Sequence, residues 1–324
     1  ALVAKASTTF IGNNAVGSGA SGGAIACDRC QSVTLEDGTL LSSNVATLNG
    51  GAVSVINSVS RLTLSSESLF RGNTAELGDG GAVYCADGNG KGFWNSTGDT
   101  FESNIAERGS GGAIAAMGTR VRLAAAAAAA ANTSNVLVAA CKRNLAPLGG
   151  GGCLFWDALA TTTSANASEW LSSDIVNASL SLAIIESNNA AGYGDWIATG
   201  AHSLRVSPET EGMKIETSGS GGGTLQPAPK VELLDAYGSI MVGDRARQIR
   251  IETFVVKQGQ DGASPAIAAT ISGGIARGVD NATGSATFDA LNLRGRPGSG
   301  PHEIGLRATV NVVAAGISAR QRGI

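Results

Sequence analysis

Over roughly the first two hundred residues, apolar positions fall in short runs broken by Gly, Asn, Ser and Asp, not at the 3.6-residue spacing of helices. One phrase recurs in that pattern: an apolar residue, two intervening positions, Asn, one position, Ala. A Gly-Gly-Ala followed by Ile or Val begins six to nine residues after the Asn. The asparagines are Asn13, Asn44, Asn73, Asn104, Asn144 and Asn188, and three residues before them stand Phe10, Leu41, Phe70, Phe101, Cys141 and Ile185. The Gly-Gly element opens at Gly22, Gly50, Gly80 and Gly111. It drifts to Gly151–Gly152–Cys153–Leu154 and then to Gly194–Asp195–Trp196–Ile197. Successive asparagines are 31, 29, 31, 40 and 44 residues apart, so the last two intervals carry extra sequence, expected as loops leaving one side.

A period near thirty residues with short apolar runs describes a unit that cannot bury its own hydrophobic face and must stack on its neighbours. Parallel coils about 4.8 Å apart solve this, and about six coils would make a rod of roughly 29 Å. The Phe and Leu positions would then form an inward column. An Asn at the same corner of every coil would form a ladder, its carboxamide bonding to the coils above and below. The Gly pair would supply a positive-φ corner and close approach between coils. The expected fold is all-β: a right-handed parallel β-helix over residues 1–216.

The paired Phe-x-x-Asn and Gly-Gly-Ala-Ile/Val motifs resemble the polymorphic outer membrane protein (Pmp) repeats of bacterial adhesin-like autotransporters and of large surface proteins of single-celled eukaryotes. Three coils carry the strict Phe-x-x-Asn with a good Gly-Gly-Ala-Ile/Val, and the fifth and sixth depart from the pattern. The resemblance implies a β-helical adhesive or structural surface segment.

Composition changes the picture after residue 217. A Ser/Gly-rich stretch leads into Pro227–Ala228–Pro229, read as a linker over 217–229. Strand-like runs follow at 231–234, 239–242, 249–256, 266–271, 285–293 and 303–313, expected to form an antiparallel sandwich over 230–315, with 316–324 a tail leading onward. The run from Gly284 through Phe288 to Leu291 and on to Ile304–Gly305–Leu306 resembles the later strands of filamin-like Ig-fold repeats. Eight alanines at 124–131 read as a loop insertion in the fifth coil, a helix that short being marginal in water.

Charge and cysteine content narrow the function. With 23 basic and 26 acidic residues and no long run of either sign, no electrostatic footprint for nucleic acid exists. No apolar stretch is long enough to predict a membrane span in this segment. The chain opens inside a repeat, so it reads as an internal or processed portion of a longer chain. Sequons at Asn95, Asn132, Asn166, Asn177 and Asn281 point to N-linked glycans and an extracellular setting. Of the five cysteines, Cys27 and Cys30 read as a local disulfide or as buried thiols, and Cys141 and Cys153 share a coil they could bridge. Cys27 and Cys85 fall at one repeat position two coils apart, too far to bond.

Catalysis needs more than these residues offer. Carbohydrate-cleaving β-helices use paired carboxylates or Ca²⁺-binding acids on one face. Glu76, Asp79, Asp87, Asp99, Glu102 and Glu107 form no recurring pair, and they read as solvated surface acids. The two histidines, His202 and His302, lie outside the coils. The segment from Asp87 to Gly92 approaches a Ca²⁺ loop, but Lys91 occupies a ligand position, leaving an ordinary turn. Trp94, Trp156, Trp170 and Trp196 fall near irregular segments and read as fillers of the core's ends, with Trp196 capping the last coil. No enzyme, cofactor or metal is expected. The expected role is a rigid module of a secreted or cell-surface glycoprotein in a coat, adhesin or filament such as a flagellar hair, partnered by other extracellular structural proteins or its own copies. The alternative is a carbohydrate-binding or carbohydrate-cleaving β-helix.

Overall fold

The computed structural model describes residues 1–57, 61–64, 67–87, 92–124, 140–157, 184–211, 216–217, 222–243, 249–255, 269–295, 304–310 and 322–323. Every regular element among them is a strand. The chain divides into two units, Ala1–Gly200 and Ala201–Ile324.

The first unit is a parallel β-solenoid whose walls are four sheets. Three hold six strands each and the fourth holds five. The first sheet carries the Phe column, in strands Thr9–Ile11, Leu40–Ser42, Leu69–Arg71, Thr100–Glu102, Ala140–Lys142 and Ile184–Glu186. Its register aligns Phe10, Leu41, Phe70, Phe101, Cys141 and Ile185. Phe70 and Phe101 stack with centroids 4.8 Å apart, about the spacing of adjacent strands. The second sheet consists of the two-residue strands that follow each ladder asparagine, such as Thr74–Ala75 and Ile105–Ala106. Its alanines align as an inward column, and Ala46, Ala75, Ala106 and Ala146 are buried. The third sheet follows the Gly pair, in strands such as Val53–Ile56, Val83–Ala86 and Ile114–Met117.

The fourth sheet, Leu2–Ala4, Ser32–Leu35, Arg61–Leu64, Gly92–Thr97 and Thr119–Ala124, carries no conserved-looking phrase. Its register stacks Leu2, Val33, Leu62, Trp94 and Val121. Trp94 is fully buried in this column and meets Phe101 edge-on at 5.9 Å. Trp156 is buried on the third sheet in strand Leu154–Asp157. Both therefore fill the regular core, and the expectation that they plug its ends is corrected: each sits at an inward position of an alternating strand. Trp170 lies outside the described residues.

The third sheet is buried on its outward side over part of its length, from the exposed Ala26 and half-buried Tyr84 to fully enclosed positions. Ser54, Ala115, Phe155 and Ala198 alternate with the inward residues and are still inaccessible.

The extra residues of the two long repeat intervals fall at 125–139 and 158–183, both outside the described residues. Most of the alanine run and the sequons at Asn132, Asn166 and Asn177 lie there too.

The second unit is built from antiparallel sheets. In one, Lys230–Asp235 is flanked by Ala201–Val206 and Ser285–Thr287. Another orders Glu216–Thr217, Gly223–Gln226, Asn292–Gly295 and Ala269–Ser272. A third pairs Ile249–Val255 with Ile304–Val310 over seven residue pairs, with Ala276–Gly278 on the other side. Val231, Leu233, Ile249, Ile251, Phe288 and Leu291 are buried.

Two boundaries differ from the sequence expectation. Residues 201–206 pair within the second unit, so the division falls at Gly200, not 216. Gly223–Gln226, inside the expected linker, is a paired strand. Residues 239–242 form no strand: Asp235 folds them into a tight turn by accepting the N–H groups of Tyr237 (2.9 Å) and Ser239 (2.8 Å), leaving a single bridge at Ile240.

Candidate functional site: the internal ladders

The six asparagines converge on one corner and hydrogen-bond in series. Asn73 shows the unit. Its backbone N–H and its Nδ2 both donate to Oδ1 of Asn104, at 3.0 and 2.9 Å. Nδ2 also donates to the carbonyl of Leu41 (3.0 Å), and Oδ1 accepts the N–H and Nδ2 of Asn44. Both Nδ2 hydrogens and both lone pairs of the oxygen are used, leaving nothing in this buried carboxamide unsatisfied. The series runs unbroken through Asn13, Asn44, Asn73, Asn104, Asn144 and Asn188. At each step Nδ2 also reaches back to a carbonyl of the Phe column: Phe10, Leu41, Phe70, Phe101 and Cys141. The Phe-x-x-Asn spacing thus places the ring in the core and its carbonyl where the next level's Asn can bind it.

The residue just before the Asn makes the corner possible. Ser43, Ser103, Arg143 and Ser187 all take φ of 52–56°, and glycine fills that place at Gly12 and Gly72. This left-handed bend turns the Phe strand into the Asn strand.

A second ladder, unforeseen from the sequence, runs the opposite way at the residue before each Gly pair. Ser21, Asn49, Asp79 and Ser110 each accept the backbone N–H of the equivalent residue one level on. The distances are 3.3 Å from Asn49, 2.8 Å from Asp79, 2.7 Å from Ser110 and 3.1 Å from Gly150. The position is chemically constant, a short side-chain acceptor, while the residue type changes. It ends at Gly150, where a Cβ would lie 2.7 Å from the Tyr193 ring, and the Tyr193 hydroxyl donates to the carbonyl of Thr199.

The two glycines of each pair have separate tasks. Gly80 has φ 71°, the bend into the third sheet. Gly81 faces the next level: a Cβ there would lie 2.1 Å from the Gly112 carbonyl oxygen and 2.6 Å from the Ile105 backbone. At the last level Asp195 replaces the second glycine. Among the described residues no further strand follows Ile197–Thr199 or Asn189–Ala190 in their sheets, so a side chain is tolerated there, and Asp195 accepts the N–H of Ala190 at 3.2 Å.

Cys27 and Cys30 are joined by a disulfide, with Cα atoms 5.9 Å apart. Cys141 and Cys153 are also joined, with Cα atoms 6.0 Å apart. Cys141 occupies the Phe column and Cys153 the place of the repeat's Ala, so this bridge stands where other levels pack a large apolar side chain over Ala. Cys85 is a free thiol in register, through Val55, with Cys27. Burial pushes its pKa up to about 12.

The acids do not gather. Asp99 is fully buried, its carboxylate accepting the Ser68 N–H (2.9 Å) and the Ser96 hydroxyl (2.6 Å). Asp87 is also buried. Solvated surface acids describe Glu76 and Glu107 but not these two. Glu102 lies between Arg71 and Arg143 on the outer face of the first sheet and pairs with both. The Arg71 hydrogen bond, with help from Arg143, holds its pKa below the ordinary value against a smaller opposing effect of burial. Among the described residues no group of three or more His, Cys, Asp or Glu could hold a metal ion. No helix among them is long and apolar enough to cross a membrane. His202 is exposed on strand Ala201–Val206, and His302 and residues 88–91 of the glycine-rich loop lie outside the described residues. Trp196 is half-buried, at the repeat's Ala position.

Parallel levels tied by an internal asparagine ladder define the class of protein: a parallel β-solenoid. The Chlamydia polymorphic membrane protein (Chlamydia_PMP) repeat matches residues 67–86, the stretch that holds Phe70, Asn73 and the Gly80–Gly81 pair. The match and the solenoid together fit a Pmp-type β-helix. No curated protein and no solved structure matches the chain.

Proposed function

We propose that this chain is a structural or adhesive segment of a large secreted or cell-surface glycoprotein, a rigid module in a surface coat, adhesin or extracellular filament, and that it is not an enzyme. The observation that carries the proposal is the pair of hydrogen-bond ladders that tie the levels of the solenoid together. Its ladder side chains serve register within the stack: two ladders run along the corners, and on the outer face Glu102 pairs with both Arg71 and Arg143. One register row of the fourth sheet, Val3, Thr34, Thr63, Asn95 and Arg122, contains neither an acid nor an aromatic, unlike a groove of acids and aromatics that would grip a sugar. The Pmp repeat over residues 67–86 supports a surface setting. The solenoid is taken as right-handed, the hand that parallel crossovers adopt. The second unit is taken as an Ig-like sandwich.

A membrane-impermeant amine reagent applied to intact cells tests the setting. Labelled lysines in peptides of this chain, at the level of known surface proteins, are the expected outcome. Labelling only after lysis removes the proposal.

A further inference from the structure

We infer that Asn281 carries an N-linked oligosaccharide and that Asn95, the other sequon among the described residues, stays bare in the folded protein. The inference rests on the surface reading above and adds to it where the sugar sits.

Sequence alone treats the two sequons alike, but the structure separates them. Asn281, Ala282 and Thr283 are all exposed, at the tip of a turn in the second unit. Asp280 builds that turn: its Oδ1 accepts the N–H groups of Ala282 (2.8 Å) and Thr283 (2.9 Å), and its carbonyl accepts the N–H of Gly284 (2.8 Å). The Asn281 carbonyl accepts the N–H of Gly243, which ties down the backbone. The Asn281 carboxamide makes no hydrogen bond among the described residues, so replacing one of its hydrogens with a sugar breaks nothing. Thr283 is exposed, and its hydroxyl lies 2.9 Å from that of Ser285 and 3.3 Å from Oδ1 of Asp280.

Asn95 sits in the middle strand of a parallel array, between Thr63 and Arg122, and is half-buried. The hydroxyl its sequon needs belongs to Ser96, which is fully buried and donates to Asp99 at 2.6 Å. Once the level has formed, a transferase cannot reach that hydroxyl without dismantling the strand.

The donor class is a polyprenyl-diphosphate oligosaccharide. Nδ2 of Asn281 attacks the anomeric carbon, the new N–C bond forms as the C–O bond to diphosphate breaks, the lipid diphosphate leaves with the electron pair, and one amide proton goes to base.

Glycopeptide mass spectrometry of the native protein, with and without amidase release of the sugar, tests the inference, with the intact-cell labelling run on the same sample. A surface-labelled chain with sugar on the Asn281 peptide and none on the Asn95 peptide is the expected result. In a secretory host Asn281→Gln and Thr283→Ala should both lose the glycan, while Thr283→Ser and Asn95→Gln keep it. A surface-labelled chain bare at Asn281, or glycosylated at Asn95, overturns this inference alone. A chain absent from the surface and bare at Asn281 overturns the inference together with the surface reading.

Discussion

Replacing Asn104 by Ala should cost far more than the same change at Asn13, although both occupy the same repeat position. Asn104 is fully buried, and its Oδ1 is the acceptor for the backbone N–H and Nδ2 of the equally buried Asn73. Truncation orphans both donors where water cannot reach them. At about 1–3 kcal/mol for each unsatisfied buried group, the loss is roughly 2–6 kcal/mol. Asn144 loses one donor to its Oδ1 but keeps the other, the N–H of residue 104, so it adds little. Asn13 is exposed, and its side chain only adds a second donor to the Asn44 oxygen, so Asn13→Ala should cost less than about 1 kcal/mol. Asn104→Asp should be worse than Ala at neutral pH, because it turns carboxylate oxygens toward the Phe70 carbonyl and the Asn144 oxygen. Urea denaturation followed by fluorescence of the buried Trp94 and Trp156 reads the effect. Amide exchange of the neighbouring levels guards against stepwise unfolding of a linear array. Equal midpoints for Asn104→Ala and Asn13→Ala would refute the claim that the closed ladder holds the stack together.

Gly112→Ala should prevent a folded stack or shift its levels, because the added methyl would lie 2.2 Å from the Gly152 carbonyl oxygen, whereas Asp195→Gly should leave the denaturation midpoint nearly unchanged. Glu102 has a lowered folded-state pKa, so its pairing contributes above the unfolded carboxylate pKa and is lost as pH falls through the folded value. With both arginines largely exposed the effect should stay below about 1 kcal/mol, seen as a small acid-side loss of stability that is absent in Glu102→Gln. Cys85, buried with its pKa near 12, should resist alkylation in the native protein at neutral pH and react only once urea opens the stack; rapid labelling of the folded chain would contradict its placement.

The stack was legible because its register is enforced by residues that tolerate no substitute. Only Asn offers a planar carboxamide that donates and accepts along the axis on a side chain one methylene shorter than that of Gln, and only Gly fits where the next level's backbone would meet a Cβ. Such positions repeat letter for letter. The second ladder was not legible, because a single N–H needs only an acceptor, and Ser21, Asn49, Asp79 and Ser110 supply one with three residue types. The fourth sheet escaped for a related reason. Leu2, Val33, Leu62, Trp94 and Val121 share register but no shape, and all but the exposed Leu2 are buried. The misplaced boundary at 216 came from reading a Gly-rich stretch as a linker. Gly222, with φ 113°, packs where a Cβ would lie 2.4 Å from the Leu293 carbonyl oxygen, so at least that glycine marks a close approach between strands. The burial of Asp99 is hidden in the sequence because a charge at a turn is usually exposed; it is offset by hydrogen bonds from the nearby Ser96 and from Ser68 of the preceding level.

Electron cryo-microscopy of the native cell-surface material tests the structural role most directly. The account predicts this chain as a solenoid with levels about 4.8 Å apart, set in a regular array against neighbouring chains. A dispersed particle holding a small ligand in a groove of acids and aromatics would contradict it.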